Sequence, residues 1–223
     1  MLIIGKPQEF NQLFATSIKS KVNISYEVNF DFREFILLKC NKSLNALDIG
    51  MGLRENFPKF EKRLGYLKTL DINEYNNYPD IQADLCQPLK LSEKYDLIFC
   101  FSILEHLYNP FKACENLENA LKKNGKIIGY APFLYQFHCP DDLSYQDFFR
   151  FSPHAYVALF PNATKIDLYP VRGRLGTSLL ILSSKWKYFF EKKFPKIAIR
   201  VNKVGLSRNK FITSGYNFII SYE

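Results

Sequence analysis

The sequence predicts an α/β protein with a doubly wound sheet of seven strands, mostly parallel, with an antiparallel last strand. From Leu44 onward, short apolar runs alternate with helical stretches, which is the order of elements that builds a parallel sheet. Several apolar runs are continuous rather than alternating, as expected for strands that are covered on both faces. A length of 223 residues suits one domain of ordinary size.

The individual elements follow from these patterns. Helices are expected near 32–40, at 56–64 and at 109–122, the last with Pro110 at its first position and Asn124-Gly125 as its left-handed cap. Strands are expected at 45–49, 66–71, 81–84, 95–101, 126–131, 165–169 and 216–222. We therefore expect a single domain over 1–223. Within it, 1–43 is an N-terminal helical extension and 183–210 is a basic, aromatic insertion before the last strand.

The net charge of +8 is a local property of this insertion. Residues 185–210 contain nine basic side chains and one acid, Glu191, so the rest of the chain is neutral overall. Aromatic residues are interleaved with these charges, a mixture compatible with three structures: a helix with solvated lysines, a surface for anionic lipid or a lipid-linked substrate, and an RNA footprint. The first is the commonest fate of a charge run, and the sequence leaves all three open.

The remaining composition points to a reducing compartment and to no metal. The five cysteines form no CxxC pair, and no zinc-ligand spacing occurs. The apolar start, Met1 to Ile4, is too short for a signal peptide, and no run approaches the length of a transmembrane segment. We expect a cytoplasmic protein, with peripheral attachment to a membrane as the alternative.

The most informative motif is Ala46-Leu-Asp-Ile-Gly-Met-Gly52, a strand that ends in a glycine turn before a helix. Gly50 and Gly52 permit a sharp turn and a close approach of ligand to backbone. Asp71 ends the next strand, where an acid commonly binds ribose hydroxyls. A dinucleotide fingerprint needs a third glycine where Glu55 stands, whereas Asp48 is placed to receive a positively charged amino group. The motif thus favours a ligand with an amino acid at one end and a nucleoside at the other.

Together with later motifs, this stretch resembles the class I S-adenosylmethionine (SAM)-dependent methyltransferases, in particular their small-molecule branch of type 11, over roughly residues 44–222. Ala83-Asp-Leu85 resembles the adenine-contact motif, residues 95–106 the fourth-strand motif with its Glu-His ending, and residues 121–129 the fifth-strand turn. The resemblance implies a Rossmann-like fold and SAM as cofactor, although Arg54 replaces the third glycine of the first motif. The cofactor-binding residues it implies are Asp48, Gly50, Gly52, Asp71, Ile72, Asp84, Leu85, Phe101, Ser102, Glu105 and His106.

Candidate catalytic residues lie beyond the fifth strand. His138, Asp147 and Arg150 resemble a His…Pro…Asp-Tyr-Trp-Arg-Tyr-Thr pattern of one branch of the family, with Phe148 and Phe149 in place of Tyr and Trp. Histidine is the side chain best suited to general base catalysis at neutral pH, and His138 is a candidate for that role toward a weakly nucleophilic hydroxyl. Arg150 has the geometry to bind a carboxylate or phosphate with two donors. Equally compatible with the sequence is an Asp147–Arg150 pair that only fixes the loop.

We therefore expect a SAM-dependent methyltransferase that acts on a small molecule or glycan conjugate, anionic or lipid-linked, most simply at oxygen. Nucleic-acid amino methylation is disfavoured because Phe101-Ser-Ile-Leu replaces the usual Asn/Asp-Pro-Pro-aromatic motif, and cytosine C5 methylation because Cys139-Pro140 is a reversed Pro-Cys pair. Two alternatives stay open: an RNA methyltransferase that uses residues 185–210, and a SAM-binding protein without catalysis.

Overall fold

A mixed sheet of eight strands forms the centre of the described protein. The computed structural model describes residues 7–25, 31–74, 78–205 and 212–223. The strand order is β1-β7-β8-β6-β5-β2-β3-β4, and β8 runs antiparallel to β6 and β7 while the other pairs are parallel. The strands are β1 (Val22–Ile24), β2 (Asn45–Ile49), β3 (Tyr66–Asp71), β4 (Ile81–Gln82), β5 (Tyr95–Phe101), β6 (Leu121–Pro132), β7 (Lys165–Pro170) and β8 (Gly215–Ser221).

Helices cover both faces of this sheet, and three follow one another between β7 and β8. The helices are α1 (Pro7–Lys21), α2 (Phe32–Leu37), α3 (Phe57–Arg63), α4 (Pro110–Asn119), α5 (Ala155–Leu159), α6 (Arg174–Leu182), α7 (Ser184–Lys193) and α8 (Pro195–Lys203). Short 3-10 turns occur at Arg54–Asn56 and Leu104–His106. Among the described residues, no helix combines the length and apolar character that crossing a bilayer requires.

The mostly parallel sheet with an antiparallel last strand is confirmed, but the number of strands is eight rather than seven. The additional strand, β1, pairs in parallel with β7 at the edge of the sheet. It contains three residues, which is too short for an alternating or continuous apolar pattern to stand out. It belongs to the segment 1–43, so this N-terminal part contributes to the sheet itself and is more than a helical extension.

The predicted helix at 109–122 is too long at its C-terminal end. Asn109 caps α4 through a side-chain oxygen that accepts the Lys112 N–H, and Pro110 opens the helix as expected. The helix ends at Asn119 because Leu121 is already part of β6, where it pairs with Tyr95 of β5. Asn124 does adopt a left-handed backbone with φ 64°, but it lies within the irregular start of β6 rather than at a helix cap.

The core confirms that the central strands are buried on both faces. Alternate residues of β5 belong to two separate clusters, with Ile98 and Cys100 in one and Phe99 and Phe101 in the other. The first cluster includes α4 and α5, and the second includes α2 and α3. This explains why these strands read as unbroken apolar runs.

Candidate active site

A cleft of about 1180 Å³ lies at the carboxyl-terminal edge of the sheet. This is the edge at which open α/β sheets bind ligands, because the loops after the parallel strands converge there. Nine of the eleven predicted cofactor-binding residues line it: Gly50, Asp71, Ile72, Asp84, Leu85, Phe101, Ser102, Glu105 and His106. The other two, Asp48 and Gly52, lie directly behind its wall.

The glycine loop after β2 packs against the end of β5. Gly50 has φ +62°, and a Cβ there would lie 2.4 Å from Ile103 Cδ1. The Gly50 N–H donates to the Leu70 carbonyl at 2.8 Å. A Cβ on Gly52 would approach the backbone nitrogen of Phe101 to 2.9 Å. Gly50 is therefore favoured by its left-handed backbone, and Gly52 by the close approach of the Phe101 backbone.

Arg54 adopts the backbone conformation that a third glycine would favour. Its φ is 45°, and Met51 in the same loop has φ 50°. A left-handed backbone costs a residue with a Cβ roughly 1 kcal/mol. The loop therefore keeps its turns without the third glycine, and the departure from the family motif at Arg54 does not alter its left-handed geometry.

Asp48 organises the loop from behind. Its side chain is fully buried, and both carboxylate oxygens lie 3.3 Å from the Leu53 nitrogen, whose N–H they accept. Burial raises the pKa of Asp48 to about 7, although the Leu53 N–H and the Arg33 charge oppose the shift. The structure thus places this carboxylate against the protein backbone, with the loop between it and the cleft.

Arg33, which the motifs did not identify, braces the same loop from α2. Its Nη2 donates to the Gly52 carbonyl at 3.1 Å, and its guanidinium carbon lies 4.5 Å from the centroid of the Phe101 ring. Burial and the charge of Arg54 lower the pKa of Arg33. No local pattern in the sequence marks this residue, because its partners are 19 and 68 positions away.

Two carboxylates follow β3 and β4 on one side of the cleft. Asp71 accepts the Asn73 N–H at 2.9 Å, which orients its carboxylate beside the glycine loop. Asp84 accepts the Cys86 N–H and the Tyr108 hydroxyl, each at 2.8 Å. These bonds hold both acids in fixed rotamers at the cleft, where sequence and resemblance expected ribose and adenine contacts.

Glu105, His106 and His138 meet on the other side of the cleft, where β5 and β6 end. Glu105 is 1% exposed, and burial raises its pKa to about 8. The His106 Nδ1 lies 2.5 Å from the Gln146 carbonyl and therefore donates to it, which leaves Nε2 3.8 Å from Glu105 Oε1. The two imidazole rings pack edge to face with centroids 5.0 Å apart.

Of the three predicted catalytic residues, His138 lines the cleft, whereas Asp147 and Arg150 do not. Asp147 accepts the His138 backbone N–H at 2.9 Å and pairs with Arg150, which holds the pKa of Asp147 at about 2 against the opposing effect of burial. Arg150 also donates to the carbonyls of Tyr135 and Gln136. Its guanidinium is thus engaged in fixing the loop that presents His138, and Phe148 and Phe149 are exposed beside it.

The insertion between β7 and β8 forms a cap over the cleft, by which we mean α6, α7 and α8. Tyr188, Glu191 and Asn202 of the cap line the cleft together with Arg172. Glu191 accepts hydrogen bonds from Arg172, Lys187 and Asn202 at 2.7 to 3.2 Å. The Tyr188 hydroxyl meets that of Tyr135 at 2.8 Å. Part of the charge run therefore points inward and forms a buried ionic network.

Comparison with known proteins places the chain in a family. A family model described as a methyltransferase domain matches residues 22–171, which is most of the chain. The chain therefore belongs to this methyltransferase family, and the sheet with its glycine loop is the family's fold. The motifs from Asp48 to His106 imply SAM as the methyl donor of this domain.

Two solved structures are similar to the chain, and the first of them shares its fold. A phosphoethanolamine N-methyltransferase from Haemonchus contortus, solved with phosphomonomethylethanolamine and S-adenosylhomocysteine, is 14% identical with a TM-score of 0.51, covering 97% of this chain and 58% of that one. The N-methyltransferase NodS from Bradyrhizobium japonicum, solved with S-adenosylhomocysteine, is 13% identical with a TM-score of 0.49, covering 87% and 88%.

Among curated proteins, a tRNA U34 carboxymethyltransferase from Helicobacter acinonychis is 29% identical over 121 residues. The match covers 51% of this chain and 41% of that enzyme. The chain thus spans less than half the length of this relative.

Proposed function

We propose that this methyltransferase transfers the methyl group to a hydroxyl oxygen of a small molecule or sugar conjugate. The observation that carries the proposal is the cluster of Glu105, His106 and His138 at the cleft. Hydroxyl groups are weak nucleophiles that must lose a proton during transfer, and imidazole and carboxylate groups are the side chains suited to assist that loss.

The residues on the β2, β3 and β4 side of the cleft fit the cofactor. We assign the Gly50 loop and Asp71 to the amino acid and ribose portions, and Asp84 and Leu85 to the adenine. Support comes from the position of Gly50 and Asp71 in the lining of the cleft and from the oriented carboxylate of Asp71. When bound, SAM supplies a methyl group attached to a positively charged sulfur.

The residues on the β6, β7 and β8 side fit the methyl acceptor. Tyr130, Tyr135, Tyr145 and Tyr188 line this part of the cleft, and such side chains offer an apolar face and a polar hydroxyl to a sugar ring. Arg172 is already neutralised by Glu191 at 3.2 Å, so we assign it to the cap rather than to an anionic group of the substrate. The cap excludes water, which would otherwise compete with the acceptor for its place.

The first experiment tests the cofactor and the acceptor separately. Calorimetry should show binding of S-adenosylhomocysteine, and transfer of labelled methyl groups from SAM should be measured on sugar nucleotides and hydroxylated metabolites. We expect His138→Ala to preserve cofactor binding and to lower turnover at least tenfold, because His138 lies on the acceptor side. The assignment would be contradicted if His138→Ala abolished cofactor binding while the turnover of the molecules that still bind cofactor stayed unchanged.

An RNA acceptor is the competing proposal, and one observation favours it. The relative from Helicobacter acinonychis is named a tRNA enzyme, and the cap exposes several cations, namely Lys185, Lys192, Lys193, Lys196, Arg200 and Lys203. Binding to phosphates would make the affinity for tRNA fall steeply with salt. Methyl transfer to tRNA, with Lys192→Glu and Lys196→Glu lowering its rate but not the rate on small acceptors, would replace the proposal above.

A further inference from the structure

The acceptor side of the cleft contains three ligand-type side chains in one cluster. One donor atom from each of Glu105, His106 and His138 lies within 4.8 Å of the other two. Around a tetrahedral ion with bonds of about 2.1 Å, ligand atoms lie about 3.4 Å apart, so no pair of the three atoms must close in by more than about 1.4 Å. His138 follows His106 by 32 residues, which is why no ligand spacing was evident in the sequence.

The ring of His106 is held as a metal ligand usually is. Its Nδ1 donates to the Gln146 carbonyl, so the unprotonated Nε2 carries a lone pair and faces Glu105. In protein metal sites the second ring nitrogen of a ligating histidine typically donates to a carbonyl or carboxylate, which fixes the tautomer and the ring orientation. The His138 Nδ1 lies 3.0 Å from Asp147 Oδ2 but, among the described residues, makes no hydrogen bond.

Glu105 supplies an independent observation. Its side chain is 1% exposed, and among the described residues its Oε2 has no hydrogen-bond partner. A buried carboxylate oxygen without a partner is costly, and buried charges in proteins are generally paired or coordinate a metal. The carboxylate lies at the cleft beside the two imidazoles, so a cation there would satisfy this oxygen.

We propose that Glu105, His106 and His138 bind a divalent transition-metal ion on the acceptor side of the cleft. Two imidazoles and a carboxylate form a donor set suited to Zn²⁺, Mn²⁺, Fe²⁺ or Co²⁺ rather than to Ca²⁺. Three protein ligands leave at least one position open toward the cleft, where a substrate hydroxyl would bind. With the ion bound, the three side chains serve as its ligands, and the ion would lower the pKa of the hydroxyl in place of a general base. This use of the ion rests on the proposed function, whereas the binding of the ion itself does not.

The test uses the full chain, freed of metal with a chelator and titrated with Co²⁺ alone. Equilibrium dialysis gives the stoichiometry, and the visible absorption of Co²⁺ reports its coordination. We expect one ion per chain, and we expect His106→Gln and His138→Gln each to weaken binding by about 100-fold or more. His154→Gln is the matched control, because His154 is exposed and is the third of the chain's three histidines.

Each variant is also checked for thermal unfolding in chelator and for binding of S-adenosylhomocysteine, so that a folding defect is recognised. Binding of less than one Co²⁺ by the wild type at millimolar concentration, or equal binding by wild type and His138→Gln, overturns the proposal. If the ion binds but S-adenosylhomocysteine does not, the metal site stands and the proposed function fails. Hydroxyl methylation that proceeds undiminished in chelator shows that the ion has no part in it and overturns its role toward the substrate.

Discussion

The guanidinium of Arg33 lies 4.5 Å from the ring centroid of Phe101 and donates to the carbonyl of Gly52. One side chain from α2 thereby connects the N-terminal part of the chain to the glycine loop and to the end of β5. The stacking contact and the charged hydrogen bond are each worth about 1 kcal/mol or more. The arginine therefore fixes the geometry of the loop to which we assign cofactor binding.

We expect Arg33→Ala to lower the affinity for S-adenosylhomocysteine about tenfold, which corresponds to about 1.4 kcal/mol. Arg33→Lys should recover only part of this, because an ammonium lacks the planar face that stacks on Phe101. Calorimetry measures the affinity, and Lys39→Ala is the control, since Lys39 is exposed just beyond the same helix. Equal affinities for wild type and Arg33→Ala would mean that the loop holds its shape unaided.

Asp71 should contribute more to affinity than any residue behind the loop. Its carboxylate lies at the cleft, and a charge-assisted hydrogen bond contributes about 1.5–3 kcal/mol. We expect Asp71→Ala to weaken S-adenosylhomocysteine binding about 10- to 100-fold, and Glu74→Gln, an exposed acid three residues on, to leave it unchanged. If Asp71→Ala lowered the affinity for free adenine more than the affinity for S-adenosylhomocysteine, the carboxylate would contact the adenine ring instead of the ribose.

The raised pKa of Asp48 predicts how the stability of the protein depends on pH. Because its pKa is raised to about 7 from an ordinary value of 3.8, the folded state holds the proton more tightly than the unfolded state. The stability it contributes is therefore greatest below about pH 4 and falls as the pH rises toward 7. Relative to the wild type, Asp48→Asn should gain on the order of 2 kcal/mol between pH 5 and pH 8.

Urea unfolding at the two pH values measures this difference, because the other titrating groups are common to both proteins. The amide introduced by Asp48→Asn retains an oxygen that accepts the Leu53 N–H, so the loop should keep its shape and cofactor affinity should fall less than tenfold. A loss of 100-fold or more would instead indicate that the Asp48 charge contacts the cofactor directly. A stability difference independent of pH would show that Asp48 is ionised in the folded protein.

The sequence was sufficient for the central strands and for the cofactor side of the cleft. The predicted bounds of β2, β3 and β5 agree with the structure because each is a short segment rich in apolar residues between polar loops. Gly50 and Asp71 lie where those strands end, so a local motif determines their place in three dimensions. Nine of the predicted cofactor residues line the cleft, but two of them, Glu105 and His106, lie on the acceptor side.

The acceptor side could not be predicted in the same way, because it is assembled from distant segments. Glu191 contacts Arg172 across 19 residues, and Tyr188 contacts Tyr135 across 53. Composition alone describes residues 185–210 as a charge run, which is usually solvated. Lys187 is nevertheless 1% exposed in its side chain, because the one acid of the segment points inward and neutralises it.

Glu191 is therefore the residue on which we expect the cap to depend. Its pKa is lowered, since Arg172, Lys187 and Asn202 together outweigh the opposing effect of burial. Glu191→Gln leaves two buried cations without their counter-charge, and breaking such a pair costs about 3 kcal/mol or more. The melting temperature should fall by about 6–12 °C, as expected for a chain of this length.

The matched control for Glu191→Gln is Glu115→Gln, which breaks a surface pair with Lys112 and should cost less than about 1 kcal/mol. If the cap closes over the acceptor, Glu191→Gln should also raise the KM for the acceptor while the affinity for S-adenosylhomocysteine stays within about threefold, because the cofactor residues lie on the other side of β5. Equal losses of stability for the two variants would mean that the ionic network does not hold the cap in place. If Glu191→Gln lowered only the affinity for the cofactor, the cap would act on the cofactor half of the cleft.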